Sequence, residues 1–502
     1  MNKNELLEEI LAEVDKHPEI MSRRDAMKYL TMSPLAASVI AGATVGTTAV
    51  SASSAKGKIV IVGGGLAGMS TAARLTNTLS NPDITVIEPN PLSTSYQPGQ
   101  TLVGGGIWDK SELVYQRDDF VPNGTKLIKG AVTAFDPENN KVIVDGKQEV
   151  SYDQLIVATG IMLNYKAVKG LTGEITSCSP DNAETKKTVG KNGVHSIYFQ
   201  DGSEATWAGI EELIAKAKKW KEGQPKLQAV FTHPNTPIKC GGAPKKIMYL
   251  THAQLEKAGV RDAVELTFYP NGGGMFGIKD YHTAIVEQFK TRGFKWNYKH
   301  NLVEIDAENK LAIFDDHSKT VKVGYDEDLE EDIMEVQHKR VEVKYDFIHV
   351  TPPMKAPDVV AHSKIGSSKG WVPVNKETLQ HVKYKNVFSL GDVCAVPMGK
   401  TGGSARKQYK VVVNNVISAM EGNQKAIDTT NHKYAGYTVC PLVTGIGTVM
   451  LAEFNWASKK TGSGANATLI PLDPTQERWI WWLLKVYLLK PMTQIGMLSG
   501  RA

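Results

Sequence analysis

A chain of 502 residues with 41% hydrophobic content is long enough for two or three domains with ordinary cores. Its formal charge of +5 is only mildly basic and its lysines are spread along the chain, which excludes a nucleic-acid surface from the expectations. Four cysteines, Cys178, Cys240, Cys394 and Cys440, are too few for a disulfide-stapled scaffold, and with no CxxC pair and no His/Cys cluster of ligand spacing no metal is expected; organic redox chemistry is left.

In chain order, an acidic, helix-like segment from Glu5 to Ile20 comes first. Ser22-Arg23-Arg24-Asp25-Ala26-Met27-Lys28 follows, then a modestly apolar, Ala-rich stretch from Tyr29 to about Val50 and small residues around Ala49, Ser51 and Ala52. This order resembles a twin-arginine export signal with a long n-region, and Pro34 together with the Thr, Ser and Gly residues breaks the apolar run too often for a strong membrane span. An unstructured leader is the alternative.

Lys58 to Val62 has a buried-strand pattern and runs directly into Gly63-Gly64-Gly65-Leu66-Ala67-Gly68, a helical segment from Met69 to Leu79, and a second strand, Ile84 to Ile87, that ends at Glu88. Gly63, Gly65 and Gly68 permit a tight turn and close approach of a pyrophosphate to a helix N-terminus, whose amides and dipole favour negative charge. Glu88 is placed to accept hydrogen bonds from ribose hydroxyls. Two distant segments then favour FAD over NAD, because they look like the pieces that close the FAD domain of two-dinucleotide flavoproteins. Ser151 to Gly160, with Ala158, Thr159 and Gly160 at its turn, is one; Asn386 to Asp392, with Gly391 and Asp392 at the ribityl position, is the other. Lys400 is spaced to approach the flavin ring, where a cation would stabilise the reduced anion; a solvated surface lysine is the alternative. A flavin must be bound in a folded domain, which suits an export route that carries folded proteins.

The second domain of such flavoproteins repeats the strand, glycine loop and helix to hold a nicotinamide cofactor. Here the strand Leu227 to Thr232 is followed by Pro234, Pro237, Ile238, Lys239 and Cys240 before a helix from about Lys245 to Lys257, so a pyrophosphate is disfavoured. A thiol at that position, flanked by Lys239, Lys245 and Lys246, has surroundings that lower a thiol pKa. A buried, inert cysteine is the alternative.

Three segments carry a closer resemblance: Pro234 to Leu250, His349-Val350-Thr351-Pro352-Pro353-Met354, and Tyr437 to Leu442 with Leu451 to Phe454. They are similar to the sulfide:quinone oxidoreductases, nearest their mitochondrial-type branch, over Lys58 to about Lys490. The resemblance implies that Cys240 and Cys440 form a catalytic redox pair. Hydrosulfide would attack the oxidised pair, leaving a persulfide on one sulfur and a thiolate that reduces FAD, with quinone taking the electrons and a small acceptor taking the sulfur. Cys178 weakly resembles a third cysteine of the bacterial branch, and Cys394 reads as packing near the cofactor. The flavin subunit of a flavocytochrome c sulfide dehydrogenase, an NADH-fed quinone reductase and a non-catalytic flavoprotein are the rival readings.

Trp479 to Met492 is apolar, aromatic-rich and interrupted by Lys485 and Lys490. Too short to span, it is expected to lie uncovered at a membrane interface; a packed terminal helix is the alternative. The expectation is an α/β protein with two Rossmann-like, glutathione-reductase-like domains plus a C-terminal membrane-binding region. Residues 1–55 are assigned to signal and leader, 56–165 and 351–430 to the FAD domain, 166–350 to the second Rossmann-like domain with Cys240, and 431–502 to a tail with Cys440, quinone pocket and interfacial helix. Partners are sulfide, a sulfur acceptor, quinone and a membrane surface, with a homo-oligomer allowed; the location is the periplasmic side of the cytoplasmic membrane, held peripherally.

Overall fold

A computed structural model describes residues 3–31, 52–93, 97–176, 179, 181–326, 331–468 and 472–501. The chain runs through helices α1 (Lys3–Asp15) and α2 (Arg23–Thr31), then β1 (Lys58–Val62), α3 (Leu66–Thr78), β2 (Asp83–Ile87), β3 (Lys126–Ile128) and β4 (Gln154–Val157). It continues through β5 (Val194–His195), α4 (Gln200–Ala217), β6 (Leu227–His233), α5 (Ala243–Lys257), β7 (Val264–Pro270), β8 (Lys295–Trp296) and β9 (Phe347–His349). The last part holds β10 (Val387–Ser389), α6 (Gly402–Met420), β11 (Thr438–Gly445), β12 (Thr448–Phe454) and α7 (Trp479–Leu483).

These elements form two compact units, one of residues 1–96, 114–161 and 356–502 and the other of residues 97–113 and 162–355. The first contains a parallel sheet in the order β10-β4-β1-β2-β3. Ile59, Val60, Ile61 and Val62 of β1 are all buried, which explains their unbroken β-branched run: a central parallel strand is covered on both faces. Met69, Ala72 and Leu75 of α3 join Tyr409, Val412, Val413 and Val416 of α6 in the same core. Each such aliphatic side chain contributes roughly 1.5–3 kcal/mol by leaving water.

The second unit repeats the design with a parallel sheet in the order β5-β9-β6-β7-β8. Two doubly wound sheets of this kind are the α/β architecture that the alternation of strand and helix implies. No helix among the described residues is long and apolar enough to cross a membrane.

The C-terminal segment corrects one expectation. Trp479, Ile480, Trp481, Trp482 and Leu483 of α7 are buried, not uncovered. The helix packs on β12 and on α2, and continues as wide π-type turns from Leu484 to Leu488. Part of the cover comes from β12 and part from α2, near the opposite terminus, and neither contact is marked in the apolar stretch itself. The apolar part of the leader, residues 32–51, and Cys178 lie outside the described residues.

Candidate active site: a dinucleotide cradle and a lysine-flanked thiol

In the first unit the parallel strands end together, so the turns after β1, β2, β4 and β10 bring Gly63, Gly65, Gly68, Glu88, Ala158, Thr159, Gly160, Gly391 and Asp392 to one edge of the sheet. Two of the glycines are required by close approach. Gly63 has φ of +106° and a Cβ there would stand 2.4 Å from the Ala158 carbonyl oxygen; a Cβ on Gly68 would stand 1.9 Å from the Gly63 carbonyl oxygen. Beside Gly65 and Gly160 there is open space. Gly65 caps α3 without any side-chain hydrogen bond, leaving the first amides of the helix to an anion.

The carboxylate of Glu88 accepts hydrogen bonds from the Gly64 amide at 2.9 Å and the Asn90 amide at 3.0 Å. Behind it sits Arg117, fully buried, donating to the carbonyls of Asn90 (2.8 Å) and Leu92 (2.9 Å) with Nη2 3.8 Å from Glu88. Its remaining nitrogen, Nη1, is buried without a hydrogen-bond partner and lies 3.1 Å from the point a Gly64 Cβ would occupy; the Thr159 hydroxyl is likewise buried and unsatisfied. A donor and a hydroxyl left in this state are costly unless a ligand completes them. The cradle therefore fits FAD: close-packed glycines, an open helix N-terminus, the Arg117 nitrogen at the glycine turn and an unsatisfied hydroxyl on the adjoining Thr159. Sequence reasoning missed Arg117, which lies in a loop and has no spacing signal.

Gly391 is held by its amide, which donates to Gln408 Oε1 on α6 at 2.8 Å. The Lys400 ammonium is turned onto the backbone: it donates to the Asp392 carbonyl and lies 3.9 Å over the Trp371 ring. Burial holds its pKa below the usual lysine value. Cys394 is fully buried and its thiol is pushed up to about 12 by that burial, which disfavours the thiolate there.

Cys440 lies in the same unit on β11, buried, directly opposite Ala452 of β12. Its strand abuts the start of α6, where a Cβ on Gly403 would meet Val439 at 2.2 Å and the Ser404 hydroxyl lies 3.0 Å from that of Thr438. One helix thus carries both the Gly391 turn and the strand of Cys440. Beside the cysteine, the Tyr437 hydroxyl donates to the buried carboxylate of Glu453.

Cys240 belongs to the second unit, on the turn between β6 and α5. Its φ of +53° is the left-handed region that a residue with a Cβ rarely adopts. The turn is pinned at both sides: the Cys240 carbonyl accepts from the Ala243 amide at 2.8 Å, and the Thr236 hydroxyl accepts from the Met354 amide at 2.8 Å. Lys246 points its ammonium at the thiol, with Nζ 3.4 Å from Sγ. Lys245 donates to the Gly241 carbonyl at 3.2 Å, and the Lys239 amide approaches Met354 Sδ at 3.3 Å. All three lysines are buried, at 2–3% exposure. A buried cation favours an anion beside it, and Lys246 faces the Cys240 sulfur, so the contact stabilises a thiolate or a persulfide anion there. The imidazole at the end of β6 adds no charge, since burial, with the Lys245 cation beside it, lowers His233 to about 3.

Known proteins resemble this chain over most of its length. Residues 57–193 match the family model described as pyridine nucleotide-disulphide oxidoreductase. The chain is 38% identical to the mitochondrial sulfide:quinone oxidoreductase of Dictyostelium discoideum over 446 residues, which is 88% of this chain and 86% of the relative. It belongs to the sulfide:quinone oxidoreductase family. The mitochondrial enzyme of Mus musculus is 34% identical, again over 88% of this chain and 86% of the relative. Among solved structures, the sulfide:quinone oxidoreductase of Aquifex aeolicus shares the fold, with a TM-score of 0.62 at 21% identity over 80% of this chain and 84% of that one. Membership makes the chain an FAD-dependent oxidoreductase of the two-dinucleotide-binding fold.

Proposed function

We propose that this chain oxidises sulfide through Cys240 and Cys440 and passes the electrons by way of FAD to quinone. The observation that carries the reading is the Cys240 turn: in the position where a nicotinamide domain keeps its glycines, this chain presents a thiol in left-handed backbone, 3.4 Å from a buried ammonium. When bound, FAD accepts the electron pair of sulfide oxidation and yields it to quinone. The cysteines supply the sulfur chemistry. Hydrosulfide attacks the oxidised pair, one S–S bond forming as the other breaks, so that one sulfur becomes a persulfide and the other leaves as a thiolate. Lys246 lowers the cost of the anionic sulfur on Cys240, and His233, neutral at the end of β6, leaves that field to the lysine. Gly63, Gly65, Gly68, Glu88, Ala158, Thr159, Gly160, Gly391 and Asp392 hold the dinucleotide, with Arg117 completing the phosphate side. Transfer of the persulfide sulfur to a small nucleophilic acceptor leaves both cysteines reduced, and the S–S bond between them would close again as their electron pair passed to the bound flavin and their proton to solvent.

Quinone is lipid-soluble, so the enzyme works at a membrane, and the aromatic, lysine-bearing tail from Trp479 is the surface that meets it. Three of the curated relatives are mitochondrial by name. The Arg23-Arg24 pair and the apolar stretch after it support instead a periplasmic placement by twin-arginine export for this chain.

The test is sulfide-dependent reduction of a quinone analogue by the flavin-loaded protein, beside Cys240→Ser and Cys440→Ser and an NADH control. Each variant is expected to lose at least about 1000-fold in turnover, as members of one catalytic unit do, with no NADH activity in any form. Near-normal sulfide turnover in either variant would end the two-cysteine reading.

A further inference from the structure

The acidic segment ahead of the two arginines has no part in the reaction, yet it is ordered. α1 and α2, of 13 and 9 residues, are too short to be stable alone in water, so packing must hold them. Leu6, Ile10 and Val14, spaced four apart on one face of α1, are 4%, 0% and 1% exposed, and Ala26 and Leu30 of α2 are equally buried. The two helices are clasped to each other by Arg23, whose guanidinium Nε donates to Asp15 at 2.6 Å.

What they pack on is the C-terminal tail. α2 lies against α7, and the His17 ring meets the Trp479 ring edge-on at 5.6 Å. The Tyr487 phenol lies by Glu9 and Glu13 and is pushed up to about 12, first by burial and then by those charges. Charge matches as well as shape. α1 carries five acids and one lysine. From Arg478 to Arg501 the tail carries Arg478, Lys485, Lys490 and Arg501 and no acid. A basic surface rich in Trp and Tyr is the composition that binds the headgroup region of an anionic bilayer, and α1 offers it carboxylates above an apolar stripe in the same arrangement.

We infer that the tail from Trp479 to Met497 is a surface with two competing occupants: α1 and α2 of its own chain, which cover it in the folded protein, and an anionic lipid bilayer, which takes their place when they leave. The inference rests on the membrane-docking part of the proposed function and adds how that docking is withheld. Cleavage of a leader after residue 52, or displacement of the helices at a charged membrane, uncovers the tail.

The full-length, flavin-loaded protein is floated with vesicles of phosphatidylcholine containing one quarter phosphatidylglycerol, and with vesicles of phosphatidylcholine alone. Ile10→Glu with Val14→Glu removes the apolar stripe of α1, and Glu9→Lys with Glu13→Lys reverses its charge over the tail. Both pairs are expected to raise binding to the anionic vesicles about tenfold over the wild type, with a smaller rise on the neutral ones and unchanged turnover with a water-soluble quinone, which also shows that the variants fold. Equal binding by all three forms would overturn the cover while leaving the membrane reading standing. No binding by any form would remove both. Self-association of the variants in place of vesicle binding would assign the surface to a second copy and overturn the choice of lipid.

Discussion

The turn after β1 and the turn after β6 occupy the same place in two similar parallel sheets, and they have opposite chemistry. Both follow a buried strand and lead into a helix of 13 or 15 residues, so both set the positive dipole end of a helix at the turn, but at α5 the Ala243 amide is spent on the Cys240 carbonyl and Pro244 has no amide to offer. The β1 turn is made of glycines so tightly set that a single methyl group at Gly68 would collide with the Gly63 carbonyl. The β6 turn is longer, stiffened by Pro234 and Pro237, and fills the same position with a thiol and three buried lysines. The sheet and helix supply an electrostatic position; in the function proposed, the loop decides whether that position grips a phosphate or activates a sulfur.

The strongest way to break the comparison is to spoil the first turn. Gly68→Ala puts a Cβ within 1.9 Å of backbone, a clash that no side-chain movement relieves, and is expected to yield protein without bound flavin, seen as loss of the visible flavin spectrum on purification. Retention of a full complement of FAD would mean that the turn does not hold the pyrophosphate.

The second turn is sharpened by its lysine. Lys246→Met removes the ammonium 3.4 Å from Sγ and is expected to slow alkylation of Cys240 by iodoacetamide near pH 7 by about tenfold, while Lys246→Arg largely restores the rate. Identical pH profiles for wild type and Lys246→Met would show that the contact does not govern the thiol.

A smaller effect separates the two units by pH. His195 and His349 lie in the second unit and are held neutral, at about 4 and about 3, against an ordinary value of 6.5. Between these values the unfolded chain binds more protons than the folded one, so their contribution is complete above about pH 6.5 and is lost as the pH falls toward 4. Thermal unfolding is expected to shift downward by several degrees between pH 7 and pH 5, less so in His195→Gln; a wild-type midpoint that does not move would contradict it.

Much of the cradle is legible in the sequence, because β1, Gly63 to Gly68 and Glu88 are close together along the chain and each residue type has one steric or hydrogen-bonding reason to be there. The Pro-rich turn with Cys240 is legible for the opposite reason, as a departure from that pattern. What the sequence hides depends on partners far away along the chain. Arg117 reaches the Gly64 turn from a loop, the burial of Lys239, Lys245 and Lys246 is set by the second sheet and its surroundings, and the tail at Trp479 is covered by helices that begin at Lys3. Periodicity and composition carry no record of such encounters, so by those signals alone the tail looks bare.

The central claim is that the second turn delivers electrons from sulfur and not from a nicotinamide. Anaerobic titration of the flavin-loaded protein with sulfide, and separately with NADH, tests it directly. Sulfide is expected to bleach the flavin absorbance stoichiometrically in the wild type and not in Cys240→Ser, with NADH leaving both spectra unchanged. Bleaching by NADH, or by sulfide in the absence of the Cys240 thiol, would contradict the account.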